Sequence, residues 1–133
     1  MPVDYVKFDR DKLLPGALGF SDFKCIVLLS GRLDQAHMDN IINWLLDEGA
    51  VYVMAHGQDC EKFHDNVDDA VMALGEGSRF VITTWHNEEP VSEVLWFGKH
   101  CADHPDFDSN RVVIVDTSSV SRRAEMLLLY NSV

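Results

Sequence analysis

Cys60 is the residue best suited to nucleophilic chemistry in this sequence. It follows a β-branched run that ends near residue 56, and the helical pattern after it places Cys60 in a first helical turn. A helix N-terminus stabilises a thiolate and lowers the thiol pKa, whereas the flanking carboxylates of Asp59 and Glu61 raise it. Cys60 also lies three residues before Phe63, so a purely structural place on the apolar face of that helix is the other interpretation.

Two histidines that follow predicted strands are candidate bases for this thiol. His56 and His86 each end a strand, and Glu88 or Asp116 is available to orient an imidazole. A nucleophile, a base and an orienting group are the minimum for covalent catalysis. The candidate catalytic residues are therefore Cys60, His56, His86 and Glu88, provided that they converge, because proton transfer needs a distance of about 3 Å or one bridging water. Alternatively, residues 85–90 are an exit loop whose acids stabilise the next helix N-terminus.

Histidine spacing also suggests a metal site. His100 and His104 are four residues apart, which lets two imidazoles on one helix reach the same ion, but Pro105 indicates that the helix has already ended. A metal site drawn from these two residues with His56, Cys60 and His86 is the third interpretation. We assign no metal and no cofactor.

Residues 116–123 combine hydroxyl side chains with two arginines. That combination suits a phosphate at a helix N-terminus, and the serines suit helix capping equally well. The chain contains neither G-x-G-x-x-G nor G-x-x-x-x-G-K-[ST], so the sequence does not support the familiar kinds of nucleotide binding.

These residues are positioned by four β-branched runs that alternate with helical patterns. The runs cover residues 24–30, 50–56, 79–86 and 111–117. Such alternation predicts parallel strands, right-handed crossovers and helices on both faces of a sheet. We predict one three-layer, doubly wound α/β domain over residues 1–133, with about four parallel strands. The sequence does not determine the strand order, for which 2-1-3-4 is the commonest pattern in so small a sheet. Residues 1–23 are an irregular strap or an additional N-terminal edge strand.

Helix boundaries and faces follow from periodicity. Asp34 is the predicted cap of the first helix and Gly49 its end, and Gly98 is expected to pack closely against a strand. The inward face of the second helix is predicted to hold Phe63, Val67, Ala70, Val71 and Leu74. That of the last helix, from about 119 to 131, is predicted to hold Val120, Ala124, Leu127 and Leu128.

The charge of the chain limits its partners. The net charge is −11, and residues 34–76 contain ten acidic residues and one basic residue, Lys62, a net of −9. Such a field repels phosphate backbones and anionic membranes, so we predict neither nucleic acid nor membrane as a partner. The acidic face of residues 34–76 is either a solvated surface or a docking surface for a basic protein. A protein-interaction or regulatory module is therefore our first prediction, and a small hydrolase or transferase using Cys60 and a histidine is the alternative. The oligomeric state stays open.

The cysteines and the N-terminus favour the cytoplasm. Cys25, Cys60 and Cys101 are widely spaced without a C-x-x-C pair, as expected for reduced thiols. The N-terminus lacks a basic region followed by an apolar one, and no apolar run approaches the roughly 18 residues of a membrane span.

Several segments resemble a bacterial domain family of unknown function. They are residues 54–60, 83–90 and 93–102, together with 5–9 near the start and 123–130 near the end. The resemblance spans nearly the whole chain and implies a single cytoplasmic domain. It implies no activity, cofactor or catalytic residue.

Overall fold

Strands and helices alternate along the chain in the structure, a computed structural model that describes residues 2–9, 14–75, 77–108 and 111–133. The elements in chain order are β1 (Val3–Lys7), β2 (Phe23–Leu29), α1 (Gln35–Glu48), β3 (Ala50–Gly57), α2 (Cys60–Ala73), β4 (Ile82–His86), α3 (Val91–His100), β5 (Val112–Asp116) and α4 (Arg123–Ser132). Parts of two sequence predictions lie outside the described residues: residues 1 and 10–13 of the N-terminal segment, and Glu76 of the acidic segment.

The strands form one parallel sheet in the order β1-β5-β2-β3-β4. This confirms the α/β class and the N-terminal edge strand, which pairs with β5. The order differs from 2-1-3-4, the commonest pattern for so small a sheet. The first predicted strand, β2, lies between β3 and β5, because α3 carries the chain from β4 back across the sheet on the face opposite α1 and α2.

Two apolar cores lie on the two faces of the sheet. On one face α1 and α2 pack over Cys25, Val27, Val53 and Val113, and on the other α3 and α4 pack over Ile26, Met54 and Ile114. Successive side chains of a strand point to opposite faces, and strands that are covered on both faces are apolar throughout. All seven residues of β2 are buried accordingly. The structure is thus the predicted three-layer arrangement.

The first helix begins and ends as predicted. The Asp34 carboxylate accepts a hydrogen bond from the backbone N–H of His37, and Gly49 ends α1 in the left-handed conformation with φ 101°. Glycine adopts that conformation without a steric cost. Close packing at Gly98 is also confirmed, since a Cβ there would lie 2.7 Å from Ile26 Cδ1.

Two predicted helix faces need correction. Leu74 is exposed because α2 ends at Ala73, so Leu74 lies past the last helical residue. In α4, which begins at Arg123 and not near residue 119, the buried residues are Met126 and Tyr130, while Val120 and Leu128 are exposed. The later start removes Val120 from the helix. A burial stripe at positions 126 and 130 then leaves Leu128 on the outer surface.

No helix among the described residues combines the length and the apolar character needed to cross a bilayer.

Candidate functional site

Cys60 lies at the N-terminus of α2, on the sheet face that α1 and α2 cover. Asp59 precedes it in the left-handed conformation with φ 60°, and the Cys60 side chain is only 2% exposed. Burial raises the pKa of the Cys60 thiol, while hydrogen bonds from the backbone N–H groups of His86, Glu61, Cys60 and Gly57 lower that pKa by less. Burial, and not the flanking carboxylates, is the main cause of the shift. The thiol is therefore held mostly protonated near neutral pH, within a set of backbone donors.

A cavity of about 500 Å³ opens beside this thiol. It lies where the exit loop of β3 and the first turn of α2 meet the exit loop of β4. Its lining carries three carboxylates against one ammonium group, so it suits a cationic group better than an anionic one. The lining residues are Asp59, Cys60, Glu61, Lys62, Asp65 and Asn87.

The structure brings His56 and His86 together but not with Cys60. The two histidines are register partners in β3 and β4, and their side chains point to the face of α3. His86 Nε2 lies 2.9 Å from Thr84 Oγ1, and the His86 ring packs against Phe97 with centroids 4.9 Å apart. His56 Nε2 lies 2.7 Å from the backbone oxygen of Glu89. Cys60 belongs to the core on the other face, and its sulfur accepts a hydrogen bond from the His86 backbone N–H.

Glu89, rather than Glu88, is the carboxylate that meets His86. Glu89 Oε2 lies 3.1 Å from His86 Nδ1, whereas Glu88 is exposed and adopts φ 61°. The conformation of the turn after β4 determines which of the two adjacent glutamates contacts the strand. The sequence does not reveal that conformation. The result is a chain of polar groups, Thr84 to His86 to Glu89, that fixes the imidazole orientation.

His64 is a residue of this region that the sequence prediction missed. It lies one helical turn after Cys60 on α2, a spacing that places two side chains on one helical face. His64 Nδ1 is 3.0 Å from Asp65 Oδ1, and Nε2 is 3.6 Å from Asp68 Oδ2. Its ring also packs on Trp85, with centroids 4.5 Å apart. The i, i+4 spacing between Cys60 and His64 is the feature of the sequence that could have indicated His64.

A second polar cluster lies where the strand order reverses, between β2 and β5. The Tyr5 hydroxyl donates to Asp116 Oδ2 at 2.5 Å, and the Arg122 guanidinium donates to both carboxylate oxygens, at 3.0 and 2.8 Å. Burial alone would raise the pKa of Asp116, but the hydrogen bonds from Arg122, Tyr5 and Ser118 outweigh burial and hold that pKa below its ordinary value. Asp116 is fully buried, and its charge is compensated inside the protein.

This cluster changes the interpretation of residues 116–123. One of the two arginines that a phosphate would need, Arg122, is already paired with Asp116. The other, Arg123, donates to the backbone oxygen of Tyr5 at 3.2 Å. Arg122 occupies the N-cap position of α4, and the serine contact at this end is a hydrogen bond that Ser121 Oγ accepts from the Arg123 backbone N–H at 3.4 Å.

His100 and His104 do not share a helical face. His100 is the last residue of α3 and packs on Trp96, while His104 lies beyond the helix with Nε2 2.6 Å from the Phe80 backbone oxygen. Within the described residues, no group of three or more His, Cys, Asp or Glu side chains is arranged to hold a metal ion.

The acidic side chains of residues 34–76 lie mainly on the outer surface of α1 and α2 and the loops before them. Asp65 is 66% exposed and Asp68 is 47% exposed. Asp68 also accepts a hydrogen bond from Thr83 Oγ1 at 2.6 Å, and Glu48 accepts one from the Leu18 N–H. The exposed acidic residues of the set are Asp34, Asp39, Asp47, Asp59, Glu61, Asp65 and Asp69.

Comparison with known proteins identifies a family for this chain. Residues 3–133 match the family described as domain of unknown function DUF7684, and the chain therefore belongs to that family. No curated protein and no solved structure gives a significant match.

Proposed function

We propose that this protein is an interaction or regulatory module that docks a basic partner protein on the outer surface of α1 and α2. One observation carries the proposal: the exposed carboxylates of two neighbouring helices share one side of the sheet. The two helices contain seven acidic residues and one basic residue, Lys62. A concentrated field of one sign steers an oppositely charged partner and raises its association rate. The same field disfavours nucleic acid and anionic membranes as partners.

Charge reversal on the two helical layers tests this proposal. The first variant carries Asp65→Lys and Asp69→Lys, both exposed on α2. The matched control carries Glu93→Lys and Glu125→Lys, both exposed on α3 and α4. Asp68 stays intact in both, because it accepts the Thr83 hydrogen bond.

Each protein is tagged, incubated with a lysate of the cells that make it, and the retained proteins are identified by mass spectrometry. We expect the wild type and the control to retain the same basic proteins, and the α2 variant to lose them. If the two variants retain the same proteins as the wild type, the acidic surface is a solvated face and the proposal is wrong.

A second candidate function is a small hydrolase or transferase with Cys60 as nucleophile. The observation that favours it is the thiol beside a cavity, surrounded by backbone N–H groups from two exit loops. On the Cys60 side of the sheet, His64 lies one helical turn after the thiol, whereas His56 and His86 point to the other face.

The rate of Cys60 alkylation, measured as a function of pH in a variant with Cys25→Ala and Cys101→Ala, tests this second function. The raised pKa predicts slow alkylation that increases only above the ordinary thiol range of about 8.5. Rapid alkylation that titrates well below that range would place the thiol enzyme ahead of the interaction module.

The proposal includes a bacterial, cytoplasmic setting. Its support is the resemblance that the sequence shows and the three free thiols, Cys25, Cys60 and Cys101, which are typical of a reducing compartment.

A further inference from the structure

The two edges of the sheet differ in how they resist pairing with another chain. An edge strand directs alternate backbone N–H and C=O groups away from the sheet, and natural proteins protect such edges with charged side chains, bulges or coverage. The β1 edge carries Asp4, which pairs with Arg111 at 3.2 Å, and Lys7, which pairs with Asp9. The β4 edge, Ile82–His86, carries no Asp, Glu, Lys or Arg.

The outer side of β4 is open from Ile82 to Trp85. In the described part of the chain, the backbone of these residues hydrogen-bonds only toward β3. The segment 101–108 covers the chain just before the strand, where His104 contacts the backbone oxygen of Phe80. Trp85, within the strand, is 45% exposed. The edge is therefore a short strand with β-forming residues and free backbone groups.

The surroundings of this edge differ between the two faces of the sheet. On the α2 side lie carboxylates: Asp68 contacts Thr83, and Asp65 and Asp68 flank the His64 ring that packs on Trp85. On the α3 side lie the half-buried apolar side chains Ile82 and Phe97, beside the uncharged Thr84 and the imidazole of His86. A strand added to β4 would thus present every second side chain to carboxylates and the others to this partly apolar surface, because strand side chains alternate between faces.

We infer that β4 accepts an extended basic segment of the partner as a sixth strand, in which lysine or arginine alternates with apolar residues. The inference rests on the proposed function, and it adds the mode of binding. Backbone pairing supplies affinity in this mode, and the alternating side chains supply specificity. Charge complementarity with Asp65 and Asp68 selects a basic segment over a second copy of this chain, whose α2 carries the same carboxylates.

Three synthetic peptides of about eight residues, a common strand length, test the inference. The first alternates lysine and valine. The second has the lysine–valine sequence with every backbone N–H methylated, which keeps the positive charge but leaves no N–H group for strand pairing in either orientation. The third alternates glutamate and valine, which keeps the strand-forming pattern but reverses the charge. Binding is measured by calorimetry, and hydrogen exchange locates the amides that each peptide protects.

We expect the lysine–valine peptide to bind and to slow amide exchange at Ile82–Trp85 by about tenfold or more. The other two peptides should bind weakly or not at all, and Asp65→Lys should weaken lysine–valine binding. Equal binding of both lysine peptides, without protection of β4, would overturn strand addition but leave the acidic docking surface in place.

Two other outcomes would also overturn the inference. Binding of neither lysine peptide would contradict both strand addition and the docking surface. Concentration-dependent dimerisation that protects β4 without any peptide would show that a second copy occupies this edge.

Discussion

The two faces of the sheet differ in how much charge their helices carry and in whether the charged side chains are exposed or buried. On the α1 and α2 side, the two helices contain seven acidic residues against Lys62, a net of −6. The helices on the other side contain Lys99 and Arg123 against Glu93 and Glu125, a net of zero. The acidic and basic side chains that the described strands bury, Lys24, His86 and Asp116, all point to the α3 and α4 side.

This difference separates charges that are buried and paired within the fold from charges that are mostly exposed to solvent. Each buried group has a partner: Lys24 Nζ donates to the Ala102 backbone oxygen, and Asp116 is held by Tyr5 and Arg122. A buried charge must be paired, because its desolvation is costly. The exposed carboxylates of α1 and α2 repel one another and contribute little to stability.

The largest expected effect on stability is at Asp116. Asp116→Asn leaves the Arg122 guanidinium without a counter-charge, and we expect the free energy of unfolding to fall by about 3 kcal/mol. The same chemical change at the exposed Asp47 on α1 should alter it by less than about 0.5 kcal/mol. Urea denaturation of the three proteins measures both values. Equal losses would show that the two faces do not use charge differently.

Acid unfolding sharpens the same comparison. The pKa of Asp116 in the folded protein lies below its ordinary value, so the folded state favours the ionised carboxylate. The stability that this group contributes is complete above the ordinary value of about 3.9 and is lost as the pH falls through the lower folded value. We expect the wild type to lose more stability than Asp116→Asn between pH 4 and pH 2, measured by denaturation at each pH. Parallel curves would contradict the assigned pKa direction.

A packing change on the α3 side should have an intermediate effect. Gly98→Ala places a Cβ 2.7 Å from Ile26 Cδ1. We expect a loss of about 1 kcal/mol, because crowding outweighs the helix preference for alanine. Ile26→Val removes the crowding methyl group, so the double variant should recover part of the loss, which thermal denaturation measures. A fully additive double variant would show that the two side chains do not crowd each other.

The smallest effect is expected on the acidic side, with the opposite sign. Glu61, Asp65 and Asp69 are spaced four residues apart on α2, and like charges at that spacing destabilise a helix. Asp65→Lys replaces two repulsions by attractions and should raise the free energy of unfolding by about 0.5 kcal/mol. A stabilised variant that binds its partner less well would show that the loss of binding is not a loss of folding. A drop in stability would show that Asp65 supports the fold.

Local features of the fold were predictable because they depend on neighbouring residues. Helix α1 begins after Asp34 and ends at Gly49 as predicted, because capping and the left-handed conformation are properties of single residues. The strand order was not predictable, because the face on which α3 returns across the sheet depends on packing between distant elements. The inward face of α4 was predicted wrongly because packing against α3 and β1 buries Met126 and Tyr130 and leaves Val120 and Leu128 exposed.

The same contrast between local features and long-range packing applies to the candidate site. The sequence indicated that Cys60, His56 and His86 lie near strand ends: Cys60 follows β3, while His56 and His86 are the penultimate and last residues of β3 and β4. It could not indicate that both imidazoles point to the α3 face while the thiol belongs to the α2 face. That choice follows from strand alternation in the final register, and a one-residue shift would reverse it. The pairing of His86 with Glu89 depends in turn on the conformation of Glu88, at φ 61°.

The most direct test of the central claim is the association rate of a captured basic partner, measured at several salt concentrations. The wild type and the control with Glu93→Lys and Glu125→Lys should associate equally fast at low salt and slow down together as salt rises. The variant with Asp65→Lys and Asp69→Lys should associate about tenfold more slowly at low salt and depend less on salt. Equal rates for all three proteins, or equal losses for the two variants, would contradict docking on the acidic side of the sheet.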